Sequence, residues 1–137
     1  MLADAALDTN VLVYAASTAT EDKAKTERAL RLIETVEFGL SAQSLAEFYN
    51  VTVRKRRMLD HHTALDWIEQ MEELPVVPVD PSLVFQGAEL SDRFGVSYWD
   101  GAILAAAVRL GVPTLYSEDL NHGQAYDGVT VINPFLD

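Results

Sequence analysis

Short apolar runs alternate along the chain with longer stretches in which apolar residues recur every three or four positions. The short runs lie at residues 3–8, 38–41, 76–79, 114–116 and 129–132, and each is expected to be a strand. The longer stretches are 21–37, 42–57, 60–73, 81–94 and 98–110. In the first of these Ala24, Ala29, Leu30, Ile33 and Val36 fall on one face, the pattern of an amphipathic helix. Between the first strand and first helix, Asp8-Thr9-Asn10 reads as a turn leading into apolar residues 11–15. Punctuation supports the helices: Pro81 suits a first helical position, and Gly95 and Gly111 suit C-terminal caps. Strands alternating with helices imply parallel pairing in an α/β layered fold. Strands apolar throughout suit a sheet covered on both faces. There is no internal repeat, and 137 residues fit one domain over 1–137.

Charge changes this picture in one respect. The chain carries 10 Lys+Arg against 21 Asp+Glu, a formal net charge of -11. Residues 1–57 are balanced, with eight basic and eight acidic residues. Beyond them only Arg93 and Arg109 oppose thirteen acids. A broad basic nucleic-acid face is therefore excluded. The one basic cluster is Arg54-Lys55-Arg56-Arg57, at the end of the helix expected over 42–57. It reads either as a helix end complementing the macrodipole or as a phosphate-holding patch. With no cysteine, disulfides, thiolate metal sites and a Cys nucleophile are ruled out. No apolar run approaches the ~18–20 residues of a membrane span. The opening Met1-Leu2-Ala3-Asp4 lacks a signal peptide's basic stretch, so the expected location is cytoplasmic.

Four carboxylates stand where the local pattern does not need them. Asp8 follows the first strand and Asp119 follows the fourth, at strand ends where open parallel sheets bind ligands. Glu47 and Asp100 lie in the helices at 42–57 and 98–110. Each has a plain structural alternative. Asp8 suits an Asx-turn, Ser44-x-x-Glu47 and Ser97-x-x-Asp100 suit capping boxes, and Asp119 suits a loop. Should the second helix instead begin near Ser41, Glu47 lies more than a turn inside it, sharing a face with Asn50 and Arg54. Gathering such acids without cations raises their pKa values. Hard divalent cations remove that cost, and such sites hydrolyse phosphodiesters. His61, His62 and His122 have no metal-binding spacing, and Trp67 and Trp99 are expected to pack rather than to stack on bases.

Taken together, four stretches resemble the PIN-domain family, most closely the VapC-type toxin ribonucleases of toxin–antitoxin pairs. They are Leu7-Asp8-Thr9-Asn10-Val11-Leu12-Val13-Tyr14-Ala15, Ser44-Leu45-Ala46-Glu47-Phe48-Tyr49, Ser97-Tyr98-Trp99-Asp100-Gly101-Ala102-Ile103-Leu104-Ala105-Ala106-Ala107 and Leu115-Tyr116-Ser117-Glu118-Asp119-Leu120. In this order they run through nearly the whole chain. The resemblance implies a three-layer α/β/α fold with a parallel sheet of four to five strands in the order 3-2-1-4-5. It implies an acidic pocket binding Mg²⁺ or Mn²⁺ and endonucleolytic cleavage of RNA. Asp8, Glu47, Asp100 and Asp119 match the acidic set, Thr9 and Ser117 match hydroxyl positions beside it, and Asn10 matches the first motif. Glu118 is a possible substitute for Asp119 as ligand.

On this reading Asp8 and Asp100 ligate the metal directly, while Glu47 and Asp119 act through a second ion or through waters. Arg54 and Arg57 hold RNA phosphates, and no lysine is well placed to stabilise the transition state. The resemblance also implies a small antitoxin protein as partner and a homodimer, with apolar helix faces around residues 20–70 as contact surfaces. Two rivals stand beside it. One is an inactive module with the same fold. The other is a phosphatase working through a phosphoaspartate, which Asp8-Thr9-Asn10 suits poorly because no second Asp follows two residues on.

Overall fold

A computed structural model describes residues 3–136. Its strands are β1 (Ala5–Leu7), β2 (Phe38–Ser41), β3 (Val76–Val77), β4 (Thr114–Tyr116), β5 (Ala125–Tyr126) and β6 (Val129–Ile132). Its α-helices are α1 (Thr9–Ala16), α2 (Lys23–Thr35), α3 (Ala42–Tyr49), α4 (His61–Met71), α5 (Pro81–Phe94) and α6 (Tyr98–Leu110). They form one sheet in the order β3-β2-β1-β4-β6-β5. The first five strands in that row are parallel, and β5 pairs antiparallel with β6. The expected 3-2-1-4-5 order is therefore present with β6 in fifth place, and β5 is an additional edge strand.

Each face of the sheet carries its own apolar layer. On one face α5 and α6 pack through Leu83, Leu90, Ile103 and Leu104 against Leu115 and Val131. On the other, Val11, Leu12, Phe48 and Met71 of α1, α3 and α4 cover Leu7 and Leu40. Burying even the smaller of these side chains on folding supplies about 25 cal/mol per Å² of apolar surface. Residues 101–107 of α6 are buried without interruption, as the sequence's Ala-rich run requires of a helix covered all round. Two glycines permit this. A Cβ on Gly101 would overlap the Gly87 carbonyl oxygen and lie 2.9 Å from the Ser91 backbone nitrogen. A Cβ on Gly87 would in turn lie 3.0 Å from the Ala102 backbone.

Several boundaries differ from the sequence expectation, each for a local reason. Residues 9–16 are already helical, because the Asp8 side chain caps Thr9 and no turn intervenes. The helix expected over 42–57 changes winding: Asn50–Lys55 is a π-helical turn. Buried Thr52 donates its hydroxyl to the Phe48 carbonyl at 2.8 Å, and its own carbonyl accepts from both Met58 and Leu59. The N-cap of α3 is Ser41, whose hydroxyl accepts from Gln43. Glu47 is thus the sixth helical residue and no partner in a cap. Ser97 does cap α6, accepting from the Asp100 backbone nitrogen at 3.1 Å. Trp67 packs near Phe48, as expected, but Trp99 is 62% exposed. Only Leu30 and Leu65 of the exposed large apolar residues lie within 20–70; Val79, Val84, Phe85, Trp99 and Leu136 lie outside it.

Candidate active site

The site forms where the chain leaves β1 and β4 on adjacent rows. Leu7 pairs with Tyr116, so the residues that follow, Asp8 and Ser117–Asp119, emerge side by side. The Asp8 backbone nitrogen donates to the Tyr116 carbonyl at 3.0 Å and ties the two exits together. Strand β1 continues toward β2 on one side while β4 leads to β6 on the other. This is the topological switch point at which doubly wound sheets open a crevice.

Asp8 is buried, and both carboxylate oxygens are held. One accepts from the Thr9 backbone nitrogen at 2.7 Å, the other from the Ser117 hydroxyl at 2.8 Å. Ser117 itself is fully buried, and its oxygen accepts from the Asp119 backbone nitrogen at 3.1 Å. The Asn10 amide donates to Asp119 at 3.1 Å, with Ser117 at 3.4 Å and Asp8 at 3.5 Å from the same nitrogen. Its carbonyl oxygen accepts from the Glu118 backbone nitrogen. Asn10 therefore links both strand exits, a role that its place beside Asp8 in the first motif signals only in outline.

Asp8, Asp100 and Asp119 bring carboxylate oxygens within 4.8 Å of one another. Asp119 thus stands with Asp8 and Asp100 rather than apart with Glu47. Glu47 lines the adjoining cavity, where it accepts from the Thr9 hydroxyl at 3.2 Å and the Gln43 amide at 3.4 Å. Burial pushes the Asp8 carboxyl up to about 7; Asp119 and Glu47 push it the same way, and the bonds from Ser117 and Thr9 oppose. Burial also raises Asp100, against a hydrogen bond with Ser97 and with help from Asp119 and Glu47. All three clustered donors are hard oxygens, with no nitrogen or sulfur among them, which suits Mg²⁺ or Mn²⁺. A cation there would oppose both causes that raise Asp8. The residues present fit such an ion.

The cavity beside the cluster has a volume of about 310 Å³ and is lined by Thr9, Asn10, Val13, Tyr14, Glu47, Val51, Arg56, Glu118 and Asp119. Arg54 and Arg57 are exposed and outside this lining; the cluster member that reaches it is Arg56. The π turn explains the shift. Each i→i+5 turn takes in more residues than an α turn, so positions beyond it fall off the face that regular periodicity assigns. Arg56 donates to buried Asp22 at 2.7 Å. Ser17, first, and then Arg56 hold the Asp22 carboxyl below its ordinary value. Lys25, outside the lining, holds two residues of it, donating to Glu118 at 2.9 Å and to the Tyr14 hydroxyl at 3.2 Å. Glu118 is engaged by this ammonium and is not in the three-carboxylate set. No sequence signal pairs Lys25 with Glu118 or Asp22 with Arg56, because those partners lie on other elements.

Comparison with known proteins agrees with this geometry. A PIN domain family model matches residues 5–127. A crystal structure of Mycobacterium tuberculosis VapC20, described as a toxin cleaving the sarcin–ricin loop, superposes with a TM-score of 0.68. It is 20% identical, over 84% of this chain and 89% of that one. A toxin–antitoxin complex from Klebsiella pneumoniae gives 0.70 at 17% identity, over 95% of this chain and 97% of its counterpart. DNA-bound VapBC from Salmonella typhimurium gives 0.62 at 18% identity, over 96% and 97%. At these identities the structures share a fold with this chain. A search of curated protein sequences finds no match. Strand order, the acidic cluster at the switch point and the family match over residues 5–127 agree, and the chain belongs to the PIN domain family.

Proposed function

We propose that this chain is a metal-dependent endoribonuclease that hydrolyses RNA phosphodiester bonds, and that it is the toxin of a toxin–antitoxin pair. The observation that carries the chemistry is the convergence of Asp8, Asp100 and Asp119 within 4.8 Å. When bound, Mg²⁺ or Mn²⁺ supplies a Lewis acid for the phosphate and lowers the pKa of water. The protein's own groups fix the rest. Thr9 and Ser117 hold Asp8 in one orientation, and Asn10 does the same for Asp119. Glu47, oriented by the Thr9 hydroxyl, accepts the proton of the attacking water. Water forms a new P–O bond as the bond to the leaving ribose oxygen breaks.

A phosphoaspartate mechanism lacks its usual supporting groups: no Asp follows Asp8 two residues on, and no lysine lines the cavity beside it. The toxin reading draws on structural neighbours described as toxins and as toxin–antitoxin complexes. It brings with it a small antitoxin protein covering the site and a homodimer. Among the described residues no helix is long and apolar enough to cross a membrane.

The test is cleavage of total RNA by purified protein with Mg²⁺ or Mn²⁺, with EDTA, and with Asp8→Asn and Asp100→Asn. Metal-dependent cutting that EDTA and both variants abolish is expected. Cutting that is unchanged in all of these, or absent with either metal, contradicts the proposal. Light scattering of the free chain and co-purification with the product of a neighbouring small reading frame test the homodimer and the antitoxin.

A further inference from the structure

The cavity beside the acidic cluster has a mixed lining. Glu47, Glu118 and Asp119 supply carboxylates, Val13 and Val51 supply apolar surface, and Arg56 is its one basic residue. About 310 Å³ lies at the lower end of the range for small-ligand pockets and exceeds what an ion alone needs. Arg56 is held from behind. Its Nη2 donates to Asp22 at 2.7 Å, and Asp22 in turn accepts from the Ser17 hydroxyl at 2.6 Å. The Asp22 side chain is only 12% exposed and does not line the cavity. A guanidinium has five N–H donors, and Asp22 is the one side chain among the described residues that Arg56 engages. The remaining donors of a pre-oriented fork are left for another acceptor. Lys25 differs: its ammonium is taken by Glu118 and by Tyr14.

We infer that this cavity is the subsite for the nucleotide flanking the scissile bond of single-stranded RNA, with Arg56 gripping its phosphate and Val13 and Val51 contacting its apolar ring faces. The inference rests on the ribonuclease reading and adds a substrate-positioning residue to it. A planar fork anchored on one side suits a phosphate, which accepts bidentate bonds, better than a mobile ammonium does. The apolar surface suits an unpaired base, because a duplex keeps its ring faces stacked. Arg56 also places positive charge beside carboxylates that would otherwise repel the RNA backbone.

The test measures anisotropy of a short fluorescein-labelled single-stranded oligoribonucleotide against the full chain carrying Asp100→Asn, so that the probe stays intact. Affinity is followed across salt concentrations, and cleavage by the otherwise unchanged chain is run in parallel. Adding Arg56→Ala is expected to weaken binding about tenfold and to flatten the salt slope by roughly 0.7, the contribution of one phosphate contact on a single strand. Arg56→Lys is expected to restore the slope but only part of the affinity. Arg31→Ala, on the exposed face of α2, controls for the loss of one positive charge. Should Arg56→Ala lose its cooperative unfolding transition, Arg56→Gln and Arg56→Lys, which can still donate to Asp22, carry the comparison. Binding and salt slope unchanged by these variants, in a chain that does bind and cut RNA, overturn the subsite alone. A chain that neither binds nor cuts RNA overturns the ribonuclease reading and the subsite with it.

Discussion

The two faces of the sheet are held together by different physics. On the α5–α6 face, glycine lets two backbones touch, and a run of seven buried residues locks α6 in place. On the α1–α4 face, the packing is apolar beneath but closes at its rim with polar ties: Ser17–Asp22–Arg56 and Tyr14–Lys25–Glu118. The rigid face delivers Asp100 from the first turn of α6. The polar face delivers Glu47 and Arg56, one on each side of a π turn. The sheet delivers Asp8 and Asp119 between them. The proposed metal ligands therefore stand at the exits of two paired strands and on a tightly packed helix, and the groups proposed to meet substrate stand on backbone that is tied by side chains.

The sharpest way to break this division is to act on the cluster itself. Asp8→Asn and Asp100→Asn are each expected to lower the rate of RNA cleavage by about a thousandfold, roughly 4 kcal/mol of transition-state stabilisation. Both variants should remain folded by circular dichroism. Next comes the rigid face. Gly101→Ala sets a methyl against the Gly87 carbonyl and the Ser91 nitrogen, both backbone, and should cost about 3 kcal/mol in denaturant unfolding. On the polar face, Asp22→Ala removes the bonds that a buried carboxylate accepts from Ser17 and Arg56 and should cost about 1–3 kcal/mol, the range for hydrogen bonds to a charged group. If Asp22→Ala proves more damaging than Gly101→Ala, the contrast between the faces is reversed.

Much of this contrast is visible in the sequence, but unevenly. The alternation of runs, the acids at strand ends and the Gly95 and Gly111 caps are local signals, and the structure carries them. Strand β5 has a local signal too: Tyr126-Asp127-Gly128-Val129 is a two-residue Asp-Gly hairpin, with φ of 51° and 87° at its centre. The π turn has none, because Thr52 bonds to Phe48 as readily in a regular helix. It leaves Arg56 lining the cavity, five residues after Val51, while Arg54 and Arg57 stand outside that lining. The partners of Lys25 and Arg56 depend on elements distant in sequence, 93 and 34 positions away along the chain. Trp99 is exposed because it stands in the first turn of α6, ahead of the buried run at residues 101–107, which local composition does not reveal at residue 99.

Two smaller effects refine the comparison. Asp8 titrates near 7 in the fold and near 3.8 when unfolded, so the folded state favours its protonated form. Its stabilising contribution is complete below the unfolded value and is lost as pH rises through about 7. In metal-free protein, Asp8→Asn should therefore raise the melting temperature at pH 8 by about 4 °C or more. That is the shift roughly 1 kcal/mol produces in a domain of this size. The gain should shrink toward pH 4. The smallest effect is expected at the half-exposed Lys25–Glu118 pair: Glu118→Gln should change stability by no more than about 1 kcal/mol and fade with salt.

That Asp8, Asp100 and Asp119 act as a single cation site is the central claim, and Mn²⁺ titration followed by calorimetry at neutral pH tests it most directly. Saturable binding to the parent chain, with proton release as Asp8 ionises and loss of binding in Asp8→Asn and Asp100→Asn, is the predicted result. Binding that is absent in the parent, or unaffected by both substitutions, would contradict it.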